Sequence, residues 1–130
     1  MGMYTEVFMR GELAADTATE VLHILHAIFQ GEEPHTKPDH PFFETPSYMS
    51  LFLGHSAYFP APFKSRAVVS DFGGHWEIGI HASLKNYDDE IEKFFDWIDP
   101  YLYESPGQFL GYSLYEESDN PRLFYKKDVD

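Results

Sequence analysis

Two stretches of this chain carry apolar residues at helical spacing, and nearly everything between them alternates or turns. Val21, Leu22, Ile24, Leu25, Ile28 and Phe29 fall within an arc of about 160° when wound as a helix. Ile91, Phe94, Phe95, Trp97, Ile98, Tyr101 and Leu102 form a second arc of similar width. A helix with one apolar stripe must bury that stripe against another element. Asp16 or Thr17 is placed to cap the first helix, with Glu20 in its first turn, and Gly31 lies beyond its end. Asn86 or Asp88 is placed to cap the second. Pro100 interrupts that pattern, and because proline has no N–H to donate, a kink or a short extra turn is expected there.

Strand periodicity accounts for most of the rest. Tyr4 to Leu13 alternates, and Ser47 to Phe59 reads as a second strand ended by Pro60 and Pro62. Arg66 to Asp71 and His75 to Leu84 flank Phe72-Gly73-Gly74, where the glycines can take positive φ, so these two strands are expected to form a hairpin. Gln108 to Glu116 and Arg122 to Lys127 are joined across Ser118-Asp119-Asn120-Pro121, a strong turn signal. The order β-α-β-β-β-α-β-β predicts an α+β fold: an antiparallel sheet of five to six strands with two helices on one face, an elaborated ferredoxin-like plan. At 130 residues, with no linker or internal repeat, the chain is expected to form a single domain over residues 1–130. Gly31 to Pro46, broken by Pro34, Pro38 and Pro41, is a long loop, and loops of that length in small domains are often contact sites.

Charge restricts the partners. Twenty-two Asp and Glu against nine Lys and Arg give a net charge of −13. Phosphate backbones and anionic membranes are bound largely through cations, so neither nucleic acid nor membrane is an expected partner. A basic protein is, because opposite charge steers encounter. With no cysteine, disulfides and thiolate metal sites are excluded. The first residues lack the basic region and apolar run of a signal peptide, and no run of 18 apolar residues occurs, so the expected location is the cytoplasm.

The motifs that carry common chemistries are absent: no phosphate-binding loop, dinucleotide fingerprint, nucleophile elbow or H-E-x-x-H occurs. Asp71-Phe72-Gly73 repeats the kinase metal-binding triplet without that fold's other parts and reads as a turn. On a strand, His75, Glu77 and His81 share a face. Six residues of strand span about 20 Å, so His75 and His81 do not ligate one ion, whereas His75 and Glu77 supply two ligands if another strand adds more. Glu20 and His23 have the Glu-x-x-His spacing of di-iron bundles, but on the two expected helices the motif occurs once, and it faces away from the apolar arc. His35 and His40 lie in the long loop beside Glu32, Glu33 and Asp39. Taken together, no catalytic residue, metal or cofactor is expected.

Aromatics make up 18% of the chain, enough to put rings on both sheet faces. Tyr4, Glu6 and Phe8 alternate with Val7 and Met9; Tyr48, Phe52 and Tyr58 with Met49, Leu51 and Leu53; Phe109 and Tyr115 with Leu110, Tyr112 and Leu114. If the helices cover the aliphatic side, the other side presents several rings, and an exposed apolar patch usually marks an interface. The competing reading is that the loop Gly31 to Pro46 or the chain ends fold over those rings. The expected interface residues are Tyr4, Phe8, Tyr48, Phe52, Tyr58, His75, Glu77, His81, Phe109 and Tyr115.

The segments IEKFFDWI (91–98), FLGY (109–112) and EESDNPRLFY (116–125) resemble a family of small uncharacterised proteins carried by bacteria and their mobile elements. The closing hairpin beside an acidic surface is also similar to some immunity proteins that neutralise toxins. The charge, the excess of aromatics and the missing motifs together point to a non-catalytic binding protein, an inhibitor or immunity-type partner acting through contact with another protein or with a second copy of itself as a homodimer. The alternative is a small enzyme or ligand-binding domain using His75, Glu77 or His81 in a cleft between sheet and loop.

Overall fold

The computed structural model of the chain describes residues 4–17, 19–45, 48–53, 66–86 and 88–127. Strand β1 (Thr5–Glu12) leads into helix α1 (Thr19–Phe29). Two 3-10 helices follow, Pro41–Glu44 and Tyr48–Leu53. The hairpin β2 (Arg66–Phe72) and β3 (His75–Leu84) turns at Gly73 and Gly74, both at positive φ, as a two-residue hairpin loop requires. Helix α2 (Glu90–Ile98) gives way at Pro100 to a 3-10 turn, Asp99–Tyr101, and β4 (Phe109–Tyr115) and β5 (Arg122–Tyr125) close the chain. Asn86 Oδ1 accepts from the Ile91 N–H at 2.9 Å, satisfying a donor that the start of α2 would otherwise leave free.

All five strands pair antiparallel in the order β2-β3-β1-β4-β5. The unit β1–α1–β2 leaves β3 between its strands, and β3–α2–β4 leaves β1 between its own. These interleaved split units are the ferredoxin-like plan, with β5 added beside β4. Both helices lie on one face. Their stripes, Val21, Ile24, Leu25, Ile28 and Phe29 on α1 and Ile91, Phe94, Phe95, Trp97 and Ile98 on α2, share one core with Val7, Met9, Ile78 and Ile80.

The strand expected over 47–59 is corrected. Residues 48–53 form a 3-10 helix, and 47 and 54–59 lie outside the described residues. The physical reason is the gap between α1 and α2. Phe52 meets Phe94 at 4.8 Å and Phe29 at 6.0 Å between ring centres, while Tyr48 meets Phe43 at 5.4 Å. Burying each such ring is worth about 1.5–3 kcal/mol, more than a weak local preference for strand opposes. The strands therefore number five among the described residues, in the order β-α-β-β-α-β-β.

The long loop packs on the helical layer. Phe42 and Phe43 are fully buried, with Phe43 edge-on to Trp97 at 4.9 Å. His40 fixes them there: its Nδ1 accepts from the Phe42 N–H at 3.1 Å, so its Nε2 carries the proton and donates to Asp96 at 2.9 Å. The expectation that this loop could cover the opposite sheet face is thereby overturned.

Candidate functional site

The register of the sheet assigns its side chains to two faces. Val7 and Met9 point to the helices, so Tyr4, Glu6, Phe8, Arg10 and Glu12 point away from them. On β3 the same open face carries His75, Glu77, Gly79 and His81. Tyr112 of β4 stands opposite Phe8 in a regular register with β1, and a register shift against β5 between Phe109 and Gly111 sets Phe109 opposite Tyr125, so that both pairs lie on the open face. Tyr115 pairs with Thr5 and so stands at the end of the helix face.

Two groups of polar side chains sit along this face. In the first, His81 Nε2 lies 2.9 Å from Glu6 Oε2, and the Tyr112 hydroxyl donates to Glu6 Oε1 at 3.3 Å. Phe8 stacks on Tyr112 at 5.7 Å. Burial, and then the charge of Glu6, hold the Tyr112 hydroxyl above its ordinary pKa. Beside this cluster is a shallow depression of about 220 Å³ over Gly79, walled by Phe8, Arg10, Val68 and His81. Its floor exists because Gly79 has no side chain; a Cβ there would meet nothing within 4 Å.

The second group is at the other end of β1. Glu12 and Glu77 are direct cross-strand partners, and His75 Nδ1 comes within 3.9 Å of Glu12 Oε2. His75 and His81 are too far apart along β3 to act together.

The apolar part of the face is at the β5 edge. Phe109 and Tyr125 pack edge-to-face at 5.8 Å, with Leu123 two residues before. Phe109, Leu123 and Tyr125 are 47%, 47% and 50% exposed, whereas Phe124 between the last two turns inward and stacks on Phe95 at 4.0 Å. No protein-family model, curated protein or solved structure matches the chain.

The open face gathers Tyr4, Phe8, His75, Glu77, His81 and Phe109 from the residues singled out in the sequence. Tyr48 and Phe52 are buried in the core beneath the helical layer, so they contribute nothing to a sheet interface, and Tyr58 lies outside the described residues. Sequence reasoning missed Glu6, Glu12, Tyr112, Leu123 and Tyr125. The alternation of β1 carried a signal for the first two; Tyr112 was hidden by the register shift. The cleft expected between sheet and loop does not form at His75 and His81, because the loop is on the other side of the sheet. That loop instead makes a cleft of about 690 Å³ with α1, lined by His23, His26 and His35, where Thr36 donates to Glu20 at 3.0 Å.

Proposed function

We propose that this protein works by binding another protein through the open face and β5 edge of its sheet, without catalysis, as an inhibitor or an immunity-type partner. The observation that carries this reading is the row Phe109, Leu123 and Tyr125, half exposed on the face away from the helices and continuous with the Phe8–Tyr112 stack. An edge strand also offers unpaired backbone groups to a partner's strand. The net charge of −13 favours a basic partner. The cations flanking this edge are already committed internally, Arg122 to Glu92 at 3.1 Å and Lys126 to Asp99 at 3.1 Å.

The test compares the wild-type chain with Leu123→Asp/Tyr125→Asp and with Leu53→Asp, an exposed leucine in the helical layer. The partner is the protein retained from cells by wild type and by Leu53→Asp, and its affinity for the edge variant should fall at least tenfold, with weaker binding at high salt. Sedimentation of the purified chain identifies the case in which that partner is a second copy. Equal retention by all three proteins, or binding indifferent to salt, overturns the reading.

A second reading, a small-ligand or acid–base site, is favoured by the Glu6–His81–Tyr112 cluster beside the depression over Gly79. Gly79→Ala puts a methyl group into that depression without touching its neighbours. Loss of a ligand on this substitution alone would favour the second reading over the first.

A further inference from the structure

Glu12 and Glu77 stand directly opposite each other on two strands in the interior of the sheet. Like charges in that relation destabilise a strand pair. Among the described residues no Lys or Arg lies within ion-pairing distance of either carboxylate, in a protein that already carries −13. What does approach them is an imidazole. One donor atom from each of Glu12, His75 and Glu77 lies within 4.8 Å of the other two, and no other three His, Asp or Glu side chains among the described residues converge in this way.

We propose that Glu12, His75 and Glu77 bind a divalent transition-metal ion of the zinc class. The donor set selects the ion: imidazole with carboxylates suits zinc, cobalt or manganese, whereas calcium and magnesium prefer oxygen throughout. Bonds of about 2.0–2.2 Å put tetrahedral donors about 3.4 Å apart, so the three need to close by little more than an ångström. Their side chains can do so, since His75 and Glu77 are exposed and Glu12 is half-buried. Their backbones hold the frame. The register fixes Glu12 against Glu77, and the Leu13 N–H donates to the Trp76 carbonyl at 2.9 Å between the ligand-bearing residues. His75 opens β3 directly after the Gly73–Gly74 turn, with its Nε2 toward Gly73 and its Nδ1 toward Glu12. Three protein donors leave at least one position to water or to a donor from a partner, which is the ligand count of an exchangeable site, unlike a closed structural one. The site lies on the open face but uses none of the apolar β5 edge whose substitution tests the protein-binding reading, so each can fail without the other.

The test is calorimetric titration of the chelator-stripped full chain with zinc chloride, with magnesium chloride as control. One saturable zinc site is expected, and none for magnesium. His75→Ala and Glu77→Gln should each weaken it by about tenfold or more, as loss of a ligand must at least match the cost of losing a ligand's supporting contact. The double variant His23→Ala/His26→Ala should retain wild-type affinity. On the wild-type chain, manganese should broaden the amide resonances of Glu12, His75 and Glu77 first, a readout that depends on no variant. Absence of saturable zinc uptake, unchanged affinity in His75→Ala, or broadening centred on His23 and His35 would overturn the proposal.

Discussion

Asp99 receives two hydrogen bonds in a place that water barely reaches. Lys126 Nζ and the Lys127 N–H both donate to its carboxylate at 3.1 Å, and the Asp99 and Lys126 side chains are 8% and 4% exposed. Removing one partner of a buried ion pair strands the other's charge, which costs about 3–5 kcal/mol, far more than losing a surface pair. Lys126→Met is therefore expected to lower the unfolding free energy by about 3 kcal/mol in urea titration. Pairing it with Asp99→Leu should restore part of the loss. A change below about 1 kcal/mol for the single variant would mean that the pair is hydrated.

One turn earlier, Asp96 is exposed and its contribution is of another kind. The hydrogen bond from Lys127, then that from His40, hold its carboxyl below the ordinary value of 3.8. A carboxyl with a depressed folded-state pKa adds stability above its unfolded value, and that increment is lost as pH falls through the lower folded value. Asp96→Asn should thus flatten the dependence of stability on pH below about 4, while at neutral pH its effect stays under about 1 kcal/mol because the pair is solvated. Urea unfolding at pH 3 and at pH 6 checks this: a wild-type advantage equal at both pH values would remove the assigned role.

At the scale of the element, two strand glycines separate opposite meanings of one residue type. A Cβ on Gly111 would lie 2.0 Å from the Phe8 carbonyl oxygen and 2.8 Å from the Met9 Cα, both backbone atoms that cannot move without parting β1 from β4. Gly79 has open space above it. Gly111→Ala is expected to cost about 3 kcal/mol or more, and Gly79→Ala to be neutral or stabilising by about 0.5 kcal/mol through the unfolded chain. Thermal melts that ranked the two alike would contradict the strand contact. Gly111 also sits at the register shift that hid Tyr112. A period-2 pattern is legible only while the pairing is regular, so the faces of β1 and β3 could be read from the sequence and that of β4 could not. The 3-10 helix at Tyr48–Leu53 was illegible for a second reason: what decides its backbone is a space between α1 and α2 that exists only in three dimensions. The break at Pro100, whose cause is local, was legible.

Across the whole molecule, the order of elements and the two helical stripes were enough to place β5 beside β4 and both helices on one side. The cross-strand pairing of the open-face side chains needed the register. The same is true of charge, whose total is written in the sequence and whose pairing is not. Around β5, Arg122, Lys126 and Lys127 are each paired with an acid of α2 or the turn after it, Glu92, Asp99 and Asp96 respectively. That leaves a large excess of carboxylates elsewhere on a body with a radius of gyration of roughly 14 Å. Ion pairs in contact act over a few ångströms, whereas the repulsion of the excess acts across the molecule and is reduced once the screening length falls from about 30 Å at 0.01 M salt to about 3 Å at 1 M. Screening should therefore relieve more repulsion than attraction, and the melting temperature should rise as sodium chloride is raised from low to near-molar concentration. Lys127→Ala, which removes one exposed pair, should leave that rise intact, since Lys127 and Asp96 are both mostly solvated. A melting temperature that fell with salt would instead place the balance of electrostatic stability in the exposed β5 ion pairs, Arg122–Glu92 and Lys127–Asp96, since the buried Lys126–Asp99 pair is screened least.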